Sequence, residues 1–76
     1  MEKAYLKALA LQNATNKLMS KVTSLQTAIN QGASTKEVAE HYSSIVFECG
    51  CVGSMLADVR RSCFEMASQY YYEWEQ

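Results

Sequence analysis

One uninterrupted alternation of apolar residues, four and three positions apart, runs through the second half of the chain and constrains its fold more than any other feature. This spacing keeps the side chains on one side of an α-helix, because about 3.6 residues complete a turn. The stripe consists of Val38, Tyr42, Ile45, Cys49, Val52, Leu56, Val59, Cys63, Met66, Tyr70 and Trp74. The pattern therefore predicts one long helix, over about residues 35–75, with a single apolar stripe facing a partner.

A second stripe with the same spacing predicts another helix over about residues 2–31. Its members are Ala4, Ala8, Leu11, Thr15, Leu18, Val22, Leu25 and Ile29. Gly32 can take the left-handed conformation that closes a helix C-terminus. Ser34 and Glu37 have the spacing of a capping box, which marks the start of the next helix. A turn over residues 32–34 therefore joins two antiparallel neighbours.

Composition supports an all-α fold in one domain spanning residues 1–76, because 49% of the residues are hydrophobic, proline is absent and only three glycines occur. Folding the chain at the turn pairs Ile29 with Val38, Leu11 with Leu56 and Ala4 with Cys63 in register. The predicted architecture is an antiparallel helical hairpin with a long second helix. An alternative is a three-helix bundle, if the second helix breaks near Gly50 and Gly53, since each glycine costs a helix about 1 kcal/mol relative to alanine.

The hairpin leaves the end of the second helix, from Phe64 onward, without a partner in its own chain. Aromatic enrichment at an unpartnered helix end is typical of a protein-binding anchor. A row of small residues beside the main stripe would allow another helix to approach closely. The predicted partner-binding residues are Phe64, Met66, Tyr70, Tyr71 and Trp74 at the helix end, and Ala39, Gly50, Gly53 and Ala57 in the small-residue row.

Cys49, Cys51, Cys63 and His41 contain the elements of a zinc site, but on a continuous helix they cannot converge. Cys49 and Cys63 are better interpreted as small core residues, whereas Cys51 lies off the stripe and is a candidate reactive thiol. His41 has no nucleophile motif or phosphate-binding loop beside it, and carboxylates such as Glu48 fit a charged outer face. The sequence predicts no catalytic residue, no metal and no cofactor, and thus no enzyme.

Charge is divided unevenly between the predicted helices. Up to Ala33 four lysines stand against Glu2, whereas from Ser34 onward seven acidic residues stand against three basic ones. The overall net charge of −1 gives no basic field for nucleic acid, and the lysines fit a solvated face. No apolar run is long enough to cross a membrane, and the first residues lack a signal-peptide pattern. An odd number of cysteines fits a reducing compartment, so we expect a cytoplasmic protein without nucleic-acid or membrane partners.

In length and layout, the hairpin from about Glu2 to Cys63 resembles the small co-chaperones that hold type III secretion needle subunits in the bacterial cytoplasm. The resemblance is one of architecture and implies an all-helical module that acts by binding another protein. The sequence therefore predicts a non-enzymatic interaction module of adaptor or co-chaperone type, which self-associates or binds a helical protein partner. The alternatives are a small phage-type inhibitor that occludes a host enzyme or nucleic-acid machine, and a zinc- or thiol-dependent switch.

Overall fold

The computed structural model describes residues 2–75, which form two α-helices: α1 (Lys3–Asn30) and α2 (Thr35–Glu75). The predicted antiparallel helical hairpin with a long second helix is confirmed. The three-helix alternative is wrong, because α2 passes through Gly50 and Gly53 without a break. An apolar pattern that keeps its phase across both glycines, with no proline nearby, outweighs their low helix propensity.

The turn between the helices satisfies the backbone groups at both of its ends. Gly32 adopts a φ of 73°, and its amide donates to the carbonyl of Ile29 at 3.1 Å. The amide of Ala33 donates to the carbonyl of Ala28 at 2.9 Å, which completes a Schellman motif. The hydroxyl of Ser34 then accepts from the amide of Glu37 at 3.2 Å, as the predicted cap requires. The chain thus reverses within a few residues, which fixes the antiparallel arrangement.

The register of the hairpin follows from two lysines of α1 that reach across to α2. Lys7 contacts Asp58 and Ser62. In the predicted register, the position opposite Lys7 lies midway between these two residues. Lys21 contacts the carbonyl of Ser44 and the carboxylate of Glu48, which bracket their expected position in the same way. The helices are therefore aligned as the pairing of Ala4 with Cys63 and of Ile29 with Val38 requires.

Only part of each apolar stripe packs against the other helix, which differs from the predicted pairing. Tyr42 and Leu56 on α2, and Val22 and Ile29 on α1, remain about half exposed. Among the described residues, the buried apolar side chains are only Ala4, Ala14 and Leu25. Each helix is turned about its axis, so that its stripe faces partly toward the neighbour and partly outward.

Polar residues occupy part of the interface between α1 and α2, where apolar stripe residues were predicted. Glu48 is buried, so its assignment to the charged outer face was wrong. Cys49 and Cys63 are exposed, so their interpretation as core residues was also wrong, whereas Cys51 is half-buried. With α2 rotated in this way, Lys7 and Lys21 reach carboxylates across the interface, which stripe-on-stripe packing would direct toward solvent.

The molecule is a rod of 61 × 18 × 18 Å, about as long as α2 alone at 1.5 Å per residue. Since α1 has 28 residues and α2 has 41, the end of α2 extends beyond α1. Along the rod, half-buried side chains of α2 continue to Met66 and then cease. The last two turns of the described chain therefore have no helix of their own chain beside them.

Candidate functional site

The end of α2 carries a shallow apolar recess formed by Ala67, Tyr70, Tyr71 and Trp74, which we call the aromatic end. These positions follow the spacing i, i+3, i+4 and i+7, so one side of the helix supplies all of them. Trp74 is 81% exposed and Tyr71 is 68% exposed. Large aromatic side chains at this exposure present apolar area that the hairpin itself does not cover.

Tyr70 ties the start of the aromatic end to the first residues of the chain. Its hydroxyl donates a hydrogen bond to the carboxylate of Glu2. This hydrogen bond, followed by the charge of the same carboxylate, raises the pKa of the Tyr70 phenol above its usual value. The contact joins Tyr70 to the residue that precedes α1, whereas Tyr71 and Trp74 lie past the start of α1.

The other two residues predicted to bind a partner at the end of α2, Phe64 and Met66, lie in different surroundings. Phe64 lies beside Ala57, Arg60 and Arg61 on another side of α2 and is 71% exposed. Met66 is half-buried and lines a recess with Ala4 and Lys7 of α1, so it has a partner within the chain. Ala67 was not among the predicted residues, because a small residue gives no signal of its own until the helix places it beside Tyr70 and Tyr71.

The small-residue row predicted to accept another helix lies on the exposed surface of α2. Ala39, Gly50, Gly53 and Ala57 are all exposed, and a methyl group built at Gly50 or Gly53 would meet only open space. Within the hairpin, no group approaches either glycine closely enough to require the absence of a side chain. The row is therefore exposed, and none of residues 2–75 lies against its glycines.

Charged contacts are concentrated on one side of the hairpin, which we call the charged side. Lys21 pairs with the buried Glu48 at 2.8 Å and lies 5.6 Å from the centre of the Phe47 ring. Lys7 pairs with Asp58 at 2.9 Å, and Arg61 reaches the same carboxylate at 3.0 Å. The Lys7 hydrogen bond is the main reason that the pKa of Asp58 lies below its usual value. The lysines predicted to form a solvated face thus include two that contact α2 across the interface.

The cysteines and His41 do not meet. Within residues 2–75, no group of three or more histidine, cysteine, aspartate or glutamate side chains is arranged to hold a metal ion. His41 is half-buried near the turn, beside Thr23, Thr27 and Glu37. No side chain able to act as a nucleophile lines that recess except hydroxyls, and no hydrogen bond joins one of them to His41 in the described part of the chain.

Neither helix of the described chain contains a segment that is long and apolar enough to cross a bilayer. Comparison with protein-family models, curated proteins and solved structures finds no match to this chain.

Proposed function

We propose that this chain is a non-enzymatic interaction module that binds a helical protein partner through the aromatic end of α2. The observation that carries the proposal is the recess of Ala67, Tyr70, Tyr71 and Trp74, which projects past α1. Tryptophan and tyrosine are enriched among the residues that dominate binding energy at protein interfaces. Adaptor or co-chaperone activity and a cytoplasmic location are narrower parts of the same proposal, taken from the sequence.

A helical partner suits the recess better than an extended peptide does. An extended peptide binds by adding a strand to a sheet edge or by lying in a deep groove, whereas α2 offers no strand and only a shallow surface. Side chains at i, i+3, i+4 and i+7 instead match the apolar face of a second helix, as in a coiled coil. The partner is therefore expected to present an amphipathic helix of about three turns.

Affinity capture of the tagged chain from extracts of its source cells, followed by titration with the purified partner, tests this proposal. Trp74 is the single tryptophan in the sequence, so its fluorescence reports directly on the aromatic end. Binding should shift the emission of Trp74 to shorter wavelength as the indole is buried. Replacing Tyr71 with alanine should weaken binding by about thirtyfold, the effect of losing about 2 kcal/mol at an anchor residue.

Tyr72→Ala is the matched control for Tyr71→Ala. The two tyrosines are adjacent and almost equally exposed, at 66% and 68%, but Tyr72 lies outside the recess. The control should bind nearly as the wild type does. Equal losses in both variants, or an unchanged affinity in Tyr71→Ala at wild-type helicity, would show that the aromatic end is not the binding surface.

A further inference from the structure

The side of the hairpin opposite the charged side carries almost no charge on either helix. Using 100° per residue, the four lysines of α1 fall within about 80° of one another, centred about 90° from the α1 stripe. On α2, the acidic residues from Glu37 to Glu73 are likewise centred about 110° from the α2 stripe. Arg60 is the one charged side chain near this side in helices α1 and α2 up to Trp74. We call this surface the uncharged face; its half-exposed or exposed members are Ala8, Thr15, Val22 and Ile29 on α1, and Tyr42, Val46, Cys49, Leu56 and Cys63 on α2.

Both stripes are turned toward the same side of the hairpin. In each helix, the stripe is rotated about the helix axis by roughly 30–60° from the residues that face the neighbouring helix. Followed along the chain, this rotation has the same sense in both helices. Because the helices are antiparallel, rotations of the same sense carry the two stripes to one side of the plane that contains both axes. The contacts of Lys21 with Glu48 and Phe47, and of Lys7 with Asp58, occupy the other side.

This rotation is the arrangement found in half of a four-helix bundle. In a square bundle each helix has two neighbours at right angles, so its core residues point midway between them, about 45° from either one. A two-helix protein that is complete by itself would instead aim both stripes at each other. We propose that the uncharged face is the interface of a homodimer, in which two copies of this chain form a four-helix bundle.

The exposed area of the single hairpin agrees with a missing second layer. Its accessible surface is 5998 Å². A compact monomer of 8.6 kDa would expose about 4,700 Å², so the hairpin exposes roughly 1,300 Å² more. Stable dimers bury on the order of 800 Å² or more on each subunit. The elongated shape distributes this excess over the whole rod, including the aromatic end, and the excess is larger than the area that an interface of ordinary size covers on one subunit.

A second copy fits this face better than an unrelated partner does. The face needs two more helices of similar length with an apolar stripe and no charge toward the core, and a second hairpin offers this surface. A two-fold interface brings the same patch together on both subunits, so like charges would repel, and the face avoids them. The inference rests on the proposed function only in taking the chain to act through protein contacts. It uses the part of α2 that lies beside α1, whereas the aromatic end continues the same side of α2 past α1.

Sedimentation equilibrium over a wide range of protein concentration tests the homodimer. Leu56→Glu places a charge on the uncharged face and should raise the dissociation constant by at least about thirtyfold. Leu6→Glu is the matched control, because Leu6 is 49% exposed and Leu56 is 51% exposed, but Leu6 lies on the charged side. The control should dimerise as the wild type does. Val22→Glu, on the same face of α1, should repeat the effect of Leu56→Glu.

Urea unfolding gives a second readout that remains informative if Leu56→Glu loses helicity. The unfolding midpoint of a dimer rises with protein concentration, because association stabilises the folded chains by mass action. The midpoints of the wild type and of Leu6→Glu should rise in this way. A wild type that is monomeric at all concentrations, or a midpoint that does not depend on concentration, would overturn the homodimer.

The aromatic-end double variant Tyr71→Ala, Trp74→Ala separates this inference from the proposed function. It should dimerise normally while losing the helical partner. If this variant is monomeric and Leu56→Glu remains a dimer, then self-association occurs at the aromatic end and the inference is wrong. If both variants dimerise normally and partner capture is also unchanged, the homodimer interface and the proposed docking surface are both rejected.

Discussion

The charged side and the uncharged face of the hairpin differ in the contacts that their side chains make between α1 and α2. On the charged side, Lys7 and Lys21 cross from α1 to carboxylates of α2, and one of those carboxylates is buried. On the uncharged face, apolar side chains such as Val22 and Leu56 are about half exposed and make no ion pair with the other helix. Ion pairs thus join the two helices on one side of the hairpin, while on the other side much of the apolar surface stays exposed.

This division has an energetic basis. A partly buried ion pair has little net effect on stability when both partners are present, but it strongly penalises arrangements that leave one charge unpaired. Apolar contact is less directional and tolerates several rotations of a helix. The ion pairs therefore specify the geometry of the hairpin, whereas burial of the stripes supplies most of the driving force wherever a partner completes it.

The largest expected effect comes from breaking the Lys21–Glu48 pair on one side only. Lys21→Ala leaves the Glu48 carboxylate buried without its cation, and should lower the free energy of unfolding by about 2 kcal/mol. Urea unfolding at one fixed protein concentration measures this change. Lys17→Ala is the control, because Lys17 is exposed on the same helix and makes no ion pair among the described residues, and it should change stability by less than about 0.5 kcal/mol.

Replacing both members of that pair tests whether the ion pair adds net stability to the hairpin. The double variant Lys21→Leu, Glu48→Leu should recover most or all of the loss, because well-packed apolar residues often match or exceed a buried ion pair. A double variant as unstable as Lys21→Ala would mean that the charged side contributes attraction and not only specificity. That result would contradict the division between the two sides.

A smaller effect, of opposite sign, is expected at the glycines of α2. Gly50→Ala should raise the free energy of unfolding by about 1 kcal/mol, because alanine has the higher helix propensity and lowers the conformational entropy of the unfolded chain. The added methyl group meets only open space. Gly53→Ala should do the same. A gain in thermal stability with unchanged association would show that the small-residue row is no interface. A loss of association in either variant would instead place a second helix against the row.

The smallest effect concerns Asp58, whose carboxylate is more exposed than that of Glu48. Its pKa is lowered, first by the Lys7 hydrogen bond, so the folded state favours the ionised form. The stabilisation is present above the usual value of 3.8 and is lost as the pH falls through the lowered pKa. Melting curves of the wild type and Asp58→Asn should therefore differ slightly near pH 6 and converge once the pH falls below the lowered pKa of Asp58. A difference that persists in acid would assign the effect to something other than ionisation.

The sequence was sufficient for the helices, the turn and the register. Spacing of four and three is a local property of each helix, and Gly32 with Ser34 marks the reversal through backbone conformation and capping. Aligning the stripes from the turn then set which residues lie opposite each other. These inferences need no knowledge of the packing between helices.

The rotation of each helix could not be predicted in the same way. A stripe shows which residues avoid water, but not whether they face their own chain or another one. Glu48 and Cys49 are neighbours in sequence, and a modest rotation of α2 exchanges which of them is buried. The rotation that buries Glu48 places it beside Lys21, and periodicity does not encode such a contact between residues distant in sequence.

The unequal lengths of α1 and α2 have a consequence for how tightly a partner can be held. Every hairpin carries one projecting aromatic end, so a particle made of two hairpins carries two. A partner that repeats its binding helix, as the subunits of a filament do, would meet the second aromatic end at a high effective concentration after the first has bound. Avidity of this kind can exceed single-site affinity by on the order of 10²–10⁴ without a new contact. An overhang of a few turns would then favour repetitive assemblies over isolated subunits.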